Sequence, residues 1–550
     1  SVLLKTPIGT IKDGNLIAYE GKKEITAKYT IKDNLLSFEI KGYEGKEKLL
    51  IDPHALVWGT YYGGSYSDTA FSISTDVYGN VFVVGYTYST NFPTLNPGGG
   101  TYYQGTNAGS YDAFILKFNN NGIRLWATYY GGSDSDIANS ISTDANGNAF
   151  VVGGTLSTDF PTLNPGGGAY YQPNKAGSYD AFILKFNNSG VRLWATYYGG
   201  SSYDEAYSIS TDANGNVFVV GGTWSFDFPT YNPGGGAYHQ PNKAGSWDAF
   251  ILKFNNSGVR LWATYYGGGD WDEALSISID VNGNVFVVGW TWSTNFPTYN
   301  PGGGAYYQGT CGGCYPYYDA FILKFNNSGI RLWATYYGGS SYDRAYSIST
   351  DANGNVFVVG WTSSTDFPTY DPGGGAYYQP NKAGFVDAFI LKFTNNGIRL
   401  WATYYGGNFD DFAYSISTDA NGNAFVVGTT YSTNFPTYNP GGGAYFDGTC
   451  GNCSTYPDAF ILKFTNSGVR LWATYYGESL GDVATSISTD ANGNVFVVGV
   501  TGSTDFPTYN PGGGAYYQPN YAGGYDAFIS KFSGSISIPE SFISSIKIKN

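Results

Sequence analysis

Apolar residues in this chain fall in short runs, each closed by Gly, Asn, Asp or Pro, and no segment shows helical periodicity with caps. One stretch shows the pattern. Ala206–Thr211 (AYSIST) alternates, as a half-buried strand does. Asp212–Asn216 (DANGN) contains Asn-Gly, a strong hairpin signal. Val217–Thr223 (VFVVGGT) is nearly continuous in apolar residues. A long loop containing DFPTYNPGGGAYHQPNKAGS leads to Asp248–Phe254 (DAFILKF). The turn Asn255–Gly258 (NNSG) then leads to Val259–Tyr266 (VRLWATYY). These runs predict four antiparallel strands, a to d, with b and c covered on both faces.

The unit recurs. Its strand-d tryptophans are Trp58, Trp126, Trp194, Trp262, Trp333, Trp401 and Trp472, spaced 68, 68, 68, 71, 68 and 71 residues apart. The SIS(T/I)D and DAF aspartates keep step, seven of each. Seven repeats of four strands predict an all-β fold, a seven-bladed β-propeller. A stack of two-strand units is the alternative, and the count of seven favours ring closure. The phase matters: the ring begins on a d-type strand (Leu56–Tyr62) and ends on a c-type strand (Asp526–Phe532). The first is expected to complete the seventh blade, leaving no open sheet edge.

The pieces TYYGGSSYDEA, ISTDANGNVFVVG, STDFPT and DAFILKF resemble those of SBBP repeats, the seven-bladed propeller repeats of bacterial and archaeal secreted proteins. The resemblance runs from about Leu56 to Phe532. It implies a fold and a secreted or cell-surface location more than any chemistry.

The flanks differ. Residues 1–54 are rich in Lys and Glu, and the alternation in ITAKYTIKDNLLSFEIKG reads as a small antiparallel β-domain. The division expected is therefore 1–54, a propeller over 55–533 and a strand-like tail over 534–550. That tail is expected to pair with its own chain or with a neighbour. Methionine is absent, at position 1 included, which reads as a chain that begins after processing or was trimmed. Lys+Arg 28 against Asp+Glu 42 gives a net charge of −14. With no basic run, nucleic acid and anionic membranes are disfavoured as partners. No apolar stretch is long enough to insert in a bilayer. His54 and His239 are the only histidines, which removes most histidine-based catalysis and metal binding.

The cysteines form two C-x-x-C pairs, Cys311/Cys314 and Cys450/Cys453, in the b–c loops of the two 71-residue units. A whole blade separates the pairs, too far for one shared zinc site. Two local disulfides are expected, consistent with an oxidising exterior. The DANGN turns resemble the start of a calcium loop but lack its remaining ligands, so they read as hairpins. No cofactor is expected, calcium being the minority alternative. The d–a connections carry Asp134, Asp136, Asp204, Glu205, Asp270, Asp272, Glu273, Asp343, Asp410, Asp411 and Asp482. Acids that recur in nearly every blade read as solvated or turn-forming, where a glycosidase pair would be singular.

Six tryptophans fall outside the repeat series: Trp224, Trp247, Trp271, Trp290, Trp292 and Trp361, all in blades three to five. Function is grafted where a symmetric scaffold loses its symmetry. With Asp270, Asp272 and Glu273 they form a candidate ligand site, suited to stacking on sugar rings; loop packing is the alternative. N-x-S sequons at Asn187, Asn255 and Asn326 are glycosylation candidates on the opposite face. The sequence thus reads as a non-catalytic extracellular or cell-surface module that binds carbohydrate or a surface protein. The alternative is a subunit of a filament or surface layer assembled by strand exchange.

Overall fold

The computed structural model describes residues 55–441 and 444–534, and the backbone of six strands between Val2 and Ile51. Val2–Thr6 pairs with Gly9–Asp13. Leu35–Lys41, Lys23–Lys32, Ala18–Glu20 and Leu49–Ile51 form, in that order, a second antiparallel sheet. The anticipated tail lies outside the described residues beyond 534, and so does His54.

From Leu56 onward the chain builds seven four-stranded antiparallel sheets. No helix occurs among the described residues. Strand a of each blade touches strand a of the next, and the seventh touches the first. The a strands therefore line the axis and the d strands the rim. In the third blade the strands are Asp204–Thr211, Val217–Thr223, Asp248–Phe254 and Arg260–Tyr266. Strand a starts earlier than the alternation suggests, because Asp204 pairs with Thr223. Strand d starts one residue later, because the Val259 N–H is held at 2.9 Å by Asn255 Oδ1 in the turn.

Burial between adjacent blades holds the ring together. One core joins Phe150 and Val152 of the second blade to Val217, Val219 and Phe250 of the third. Trp194 closes it from strand d, its indole N–H donating to the Tyr170 carbonyl at 2.9 Å. Every blade repeats this tryptophan at the equivalent place, fully or nearly fully buried. Burying so large a ring costs little because its one polar atom is satisfied.

Closure follows the expected route. Leu56–Tyr62 runs antiparallel to Asp526–Phe532, from Leu56 opposite Phe532 to Tyr62 opposite Ala527. The Ser533 N–H donates to the Ala55 carbonyl at 3.0 Å, so the two ends meet where a c–d turn stands in other blades. Trp58 and Tyr62 pack into the core shared with the first blade, and Tyr61 into the core shared with the sixth.

The long b–c loops do not crowd one face of the ring. Each runs along the outer edge of its own strand d. In the third blade the pairings are Tyr231 with Ala263 and Gln240 with Tyr265. The Tyr238 N–H then reaches the Gly329 carbonyl of the next blade at 2.8 Å. Backbone groups on an outer edge are thereby satisfied. Gly234, Gly235 and Gly236 reverse the loop, all at positive φ, where a side chain would be strained.

Candidate functional site

The face at the upper ends of strands a and c carries what differs between blades. At the sixth position of strand b, the second and third blades have Gly154 and Gly222, and the fourth and fifth have Trp290 and Trp361. The small residues leave room for rings from the loop before strand c. A Cβ on Gly222 would lie 2.1 Å from the Trp247 ring, and one on Gly154 equally close to Tyr179.

All six non-repeat tryptophans join one continuous array. Tyr179 stacks on Tyr203 with centroids 4.5 Å apart, and Tyr203 meets Trp224 and Trp247. Trp247 and Trp271 lie 5.6 Å apart, and Trp271 stacks on Trp290 at 6.0 Å. Trp292 meets Trp271 and Trp290 edge-on, and Tyr318 links Trp290 to Trp361. The array crosses from blade two to blade five. Trp247 is 3% exposed and Trp224 45%, so the interior rings support an accessible one.

Charged groups are threaded through it. Glu273, the second residue of strand a, is buried and accepts from the Trp290 indole at 2.7 Å and the Tyr207 hydroxyl at 2.9 Å. Arg344 pairs with it at 3.2 Å and lies over the rings of Trp290 and Tyr346. Glu205 accepts from Asn139 at 3.0 Å and Tyr203 at 2.8 Å. Burial pushes its carboxyl up. The indole N–H groups of Trp247, Trp271 and Trp292, and Arg344 Nε, are buried without an acceptor. Sequence reasoning missed Tyr203, Tyr207, Tyr318 and Arg344. Their signal was available: each stands where the repeat varies.

The acids divide in two. Asp270 stays half-buried at the surface, and Asp134 is exposed. Asp136, Asp204, Asp272, Asp343, Asp411 and Asp482 are fully buried first residues of strand a, not solvated. Asp272 Oδ2 accepts from Gly268 N–H at 2.7 Å and Ser293 at 2.9 Å, and Oδ1 from the Thr291 hydroxyl. Burial pushes its carboxyl up to about 8. Its oxygens serve the turn, which removes Asp272 from the ligand-facing set. A second ring of buried aspartates, Asp248 among them, starts strand c and holds the end of the b–c loop by its N–H groups.

Cys311–Cys314 and Cys450–Cys453 are disulfides with Cα atoms 5.5 and 5.7 Å apart. Each lies beside a strand-c aspartate, Asp319 or Asp458. Gly312 and Gly451 donate to these carboxylates, as Ala244 and Gly245 do to Asp248. The C-x-x-C turns therefore replace a loop end without changing what it holds. At the sequons, Asn187 Oδ1 accepts from Ser189 and Val191, and Asn255 and Asn326 repeat the pattern. All three cap c–d turns on the face opposite the tryptophans.

A closed propeller whose variation gathers on one face is a rigid scaffold carrying a local surface. A family profile described as beta-propeller repeat, SBBP, matches residues 57–93, 125–161, 193–229, 261–297, 332–368, 400–436 and 471–507. The chain belongs to the SBBP β-propeller repeat proteins. A domain of unknown function, DUF7948, matches residues 1–54. An uncharacterised WD repeat-containing protein of Acanthamoeba polyphaga mimivirus is 21% identical over 87% of this chain and 38% of its own length. The regulatory protein FlaEY of Caulobacter vibrioides is 25% identical over 58% of this chain and 33% of its own length. The chain thus spans about a third of these relatives. Among solved structures, Sqt1 from Chaetomium thermophilum is 8% identical with a TM-score of 0.36, covering 88% of this chain and 99% of that one. The phage phi92 endosialidase is 10% identical with a TM-score of 0.36, covering 90% and 73%.

Proposed function

We propose that this chain is a non-catalytic binding module of the cell exterior, and that its tryptophan face takes carbohydrate. The observation that carries the reading is the aromatic array with Trp224 at its surface. Indole faces stack on the apolar faces of sugar rings, and hydroxyls accept from N–H groups. Three indole N–H groups of the array lack an acceptor, and an unmet buried donor is costly. A sugar hydroxyl or an ordered water between the rings supplies what they lack. The two disulfides support an oxidising location.

A glycan array probed with the full chain tests this. Retention on a subset of glycans is expected, and Trp224→Ala should weaken it by about tenfold or more, as for an interface anchor. Absence of glycan retention, or retention indifferent to Trp224→Ala and Trp271→Ala, contradicts it.

A second reading rests on the meeting of Ala55 and Ser533 at one point of the ring. Segments leaving there side by side suit strand exchange between copies, giving an open head-to-tail polymer. Deleting 535–550 should then lower the particle mass measured by light scattering. An assembled parent whose mass is unchanged by the deletion rules that route out.

A further inference from the structure

The face opposite the tryptophans holds a cluster that recurs at six of the seven blade junctions; at the junction of the sixth and seventh blades Gly534 stands where the other turns have the asparagine. After its first-residue aspartate, strand c is apolar in the first six blades except for a lysine at its sixth position. Lys185, in the second blade, is 7% exposed and lies 5.1 Å over the Phe150 ring. Its Nζ reaches the c–d turn of the third blade, 2.5 Å from Asn256 Oδ1 and 2.6 Å from the Asn256 carbonyl. Both are closer than the usual range of about 2.7–3.2 Å. Asn256 Nδ2 in turn donates to Asp144 Oδ2 at 3.1 Å. An amine, a carboxamide and a carboxylate thus meet in a partly buried cluster.

The same contact joins Lys117 to Asn188, Lys253 to Asn327, Lys324 to Asn395, and Lys392 to Asn466. It also joins Lys531 of the seventh blade to Asn120 of the first, with Asn120 Nδ2 2.9 Å from Asp490. We propose that these lysines and asparagines condense into intramolecular amide bonds that weld neighbouring blades together at these six junctions.

The step balances without oxidant or cofactor. The unprotonated Nζ of Lys185 adds to Cγ of Asn256, forming one C–N bond. The tetrahedral carbon then collapses, the Cγ–Nδ2 bond breaks and ammonia leaves. A proton must pass from Nζ to the departing nitrogen, and Asp144 is hydrogen-bonded to that nitrogen and can carry it. Desolvation lowers the lysine pKa, to about 8 at Lys531, which raises the reactive unprotonated fraction. A Lys531–Asn120 bond would tie the last strand of the ring to the first blade and so bridge covalently the break that the main chain leaves within the seventh blade, between Phe532 and Leu56.

Mass spectrometry of the full chain, reduced and denatured, tests the proposal. The intact mass should fall below the sequence mass by one ammonia per bond. Proteolysis should give branched peptides joining the Lys185 strand to the Asn256 turn, and likewise at the other pairs. Asp144→Asn should abolish the Lys185–Asn256 branch alone, the remaining branches reporting that the ring still folds. The full sequence mass in the reduced chain overturns the proposal. So does an ammonia deficit that maps to succinimides at Asn-Gly pairs such as Asn214–Gly215 with no branched peptide. A Lys185–Asn256 branch that persists in Asp144→Asn overturns the role given to the carboxylate.

Discussion

Two buried aspartates per blade set how the protein responds to pH. Burial raises the Asp68 carboxyl to about 6, those of Asp136, Asp204 and Asp482 to about 7, and those of Asp272 and Asp411 to about 8. An unfolded aspartate titrates near about 3.9. The folded state therefore binds more protons than the unfolded state between these values, and stability falls as pH rises. The stabilisation is complete below the unfolded value and is lost as pH climbs through about 6 to 8. Calorimetry at constant ionic strength should show the unfolding midpoint dropping from about pH 5 to about pH 9. A midpoint that climbs over that range contradicts the assignment. None of this burial was legible in the sequence. Asp272 looks like a surface acid until Thr291 and Ser293, nineteen and twenty-one residues away, are seen to hold it. The lysine–asparagine contacts were hidden for the same reason, since Lys185 and Asn256 stand 71 positions apart on different blades.

The strands themselves were legible, because each is a short apolar run with a turn signal at its end, and repetition checked the reading seven times. Their irregularities were not. Strand a carries a bulge in every blade, between Ala274 and Ser276 in the fourth. Opposite it stands a strand-b glycine, Gly289, where a Cβ would lie 1.8 Å from the Glu273 carbonyl oxygen. This close approach keeps Glu273 and Trp290 side by side at the site. Gly289→Ala should cost about 1–3 kcal/mol in chemical denaturation, as overpacking does. It should also disturb the Glu273–Trp290 bond, read as a change in tryptophan fluorescence. Wild-type stability in that variant would show that the approach is not required. The tryptophan cluster was legible as a break in symmetry, but its supporting tyrosines were lost among the 52 that the chain carries.

At the scale of the whole molecule, seven near-identical blades make a rigid ring, and its one discontinuity is where the chain begins and ends it. Closure depends on a seven-residue strand, Leu56–Tyr62, whose Trp58, Tyr61 and Tyr62 are buried in two different inter-blade cores. Removing large buried aromatics costs about 3–5 kcal/mol each, so losing three at one seam exceeds the usual margin of about 5–15 kcal/mol or consumes most of it. The direct measurement is thermal unfolding of two truncations followed by circular dichroism. Deleting residues 1–54 should leave a cooperative transition. Deleting residues 1–62 should abolish it or lower it steeply, and a peptide spanning 55–64 should restore it by filling the seventh blade. A chain without residues 1–62 that unfolds cooperatively at the same temperature as the longer truncate would contradict closure by the N-terminal strand.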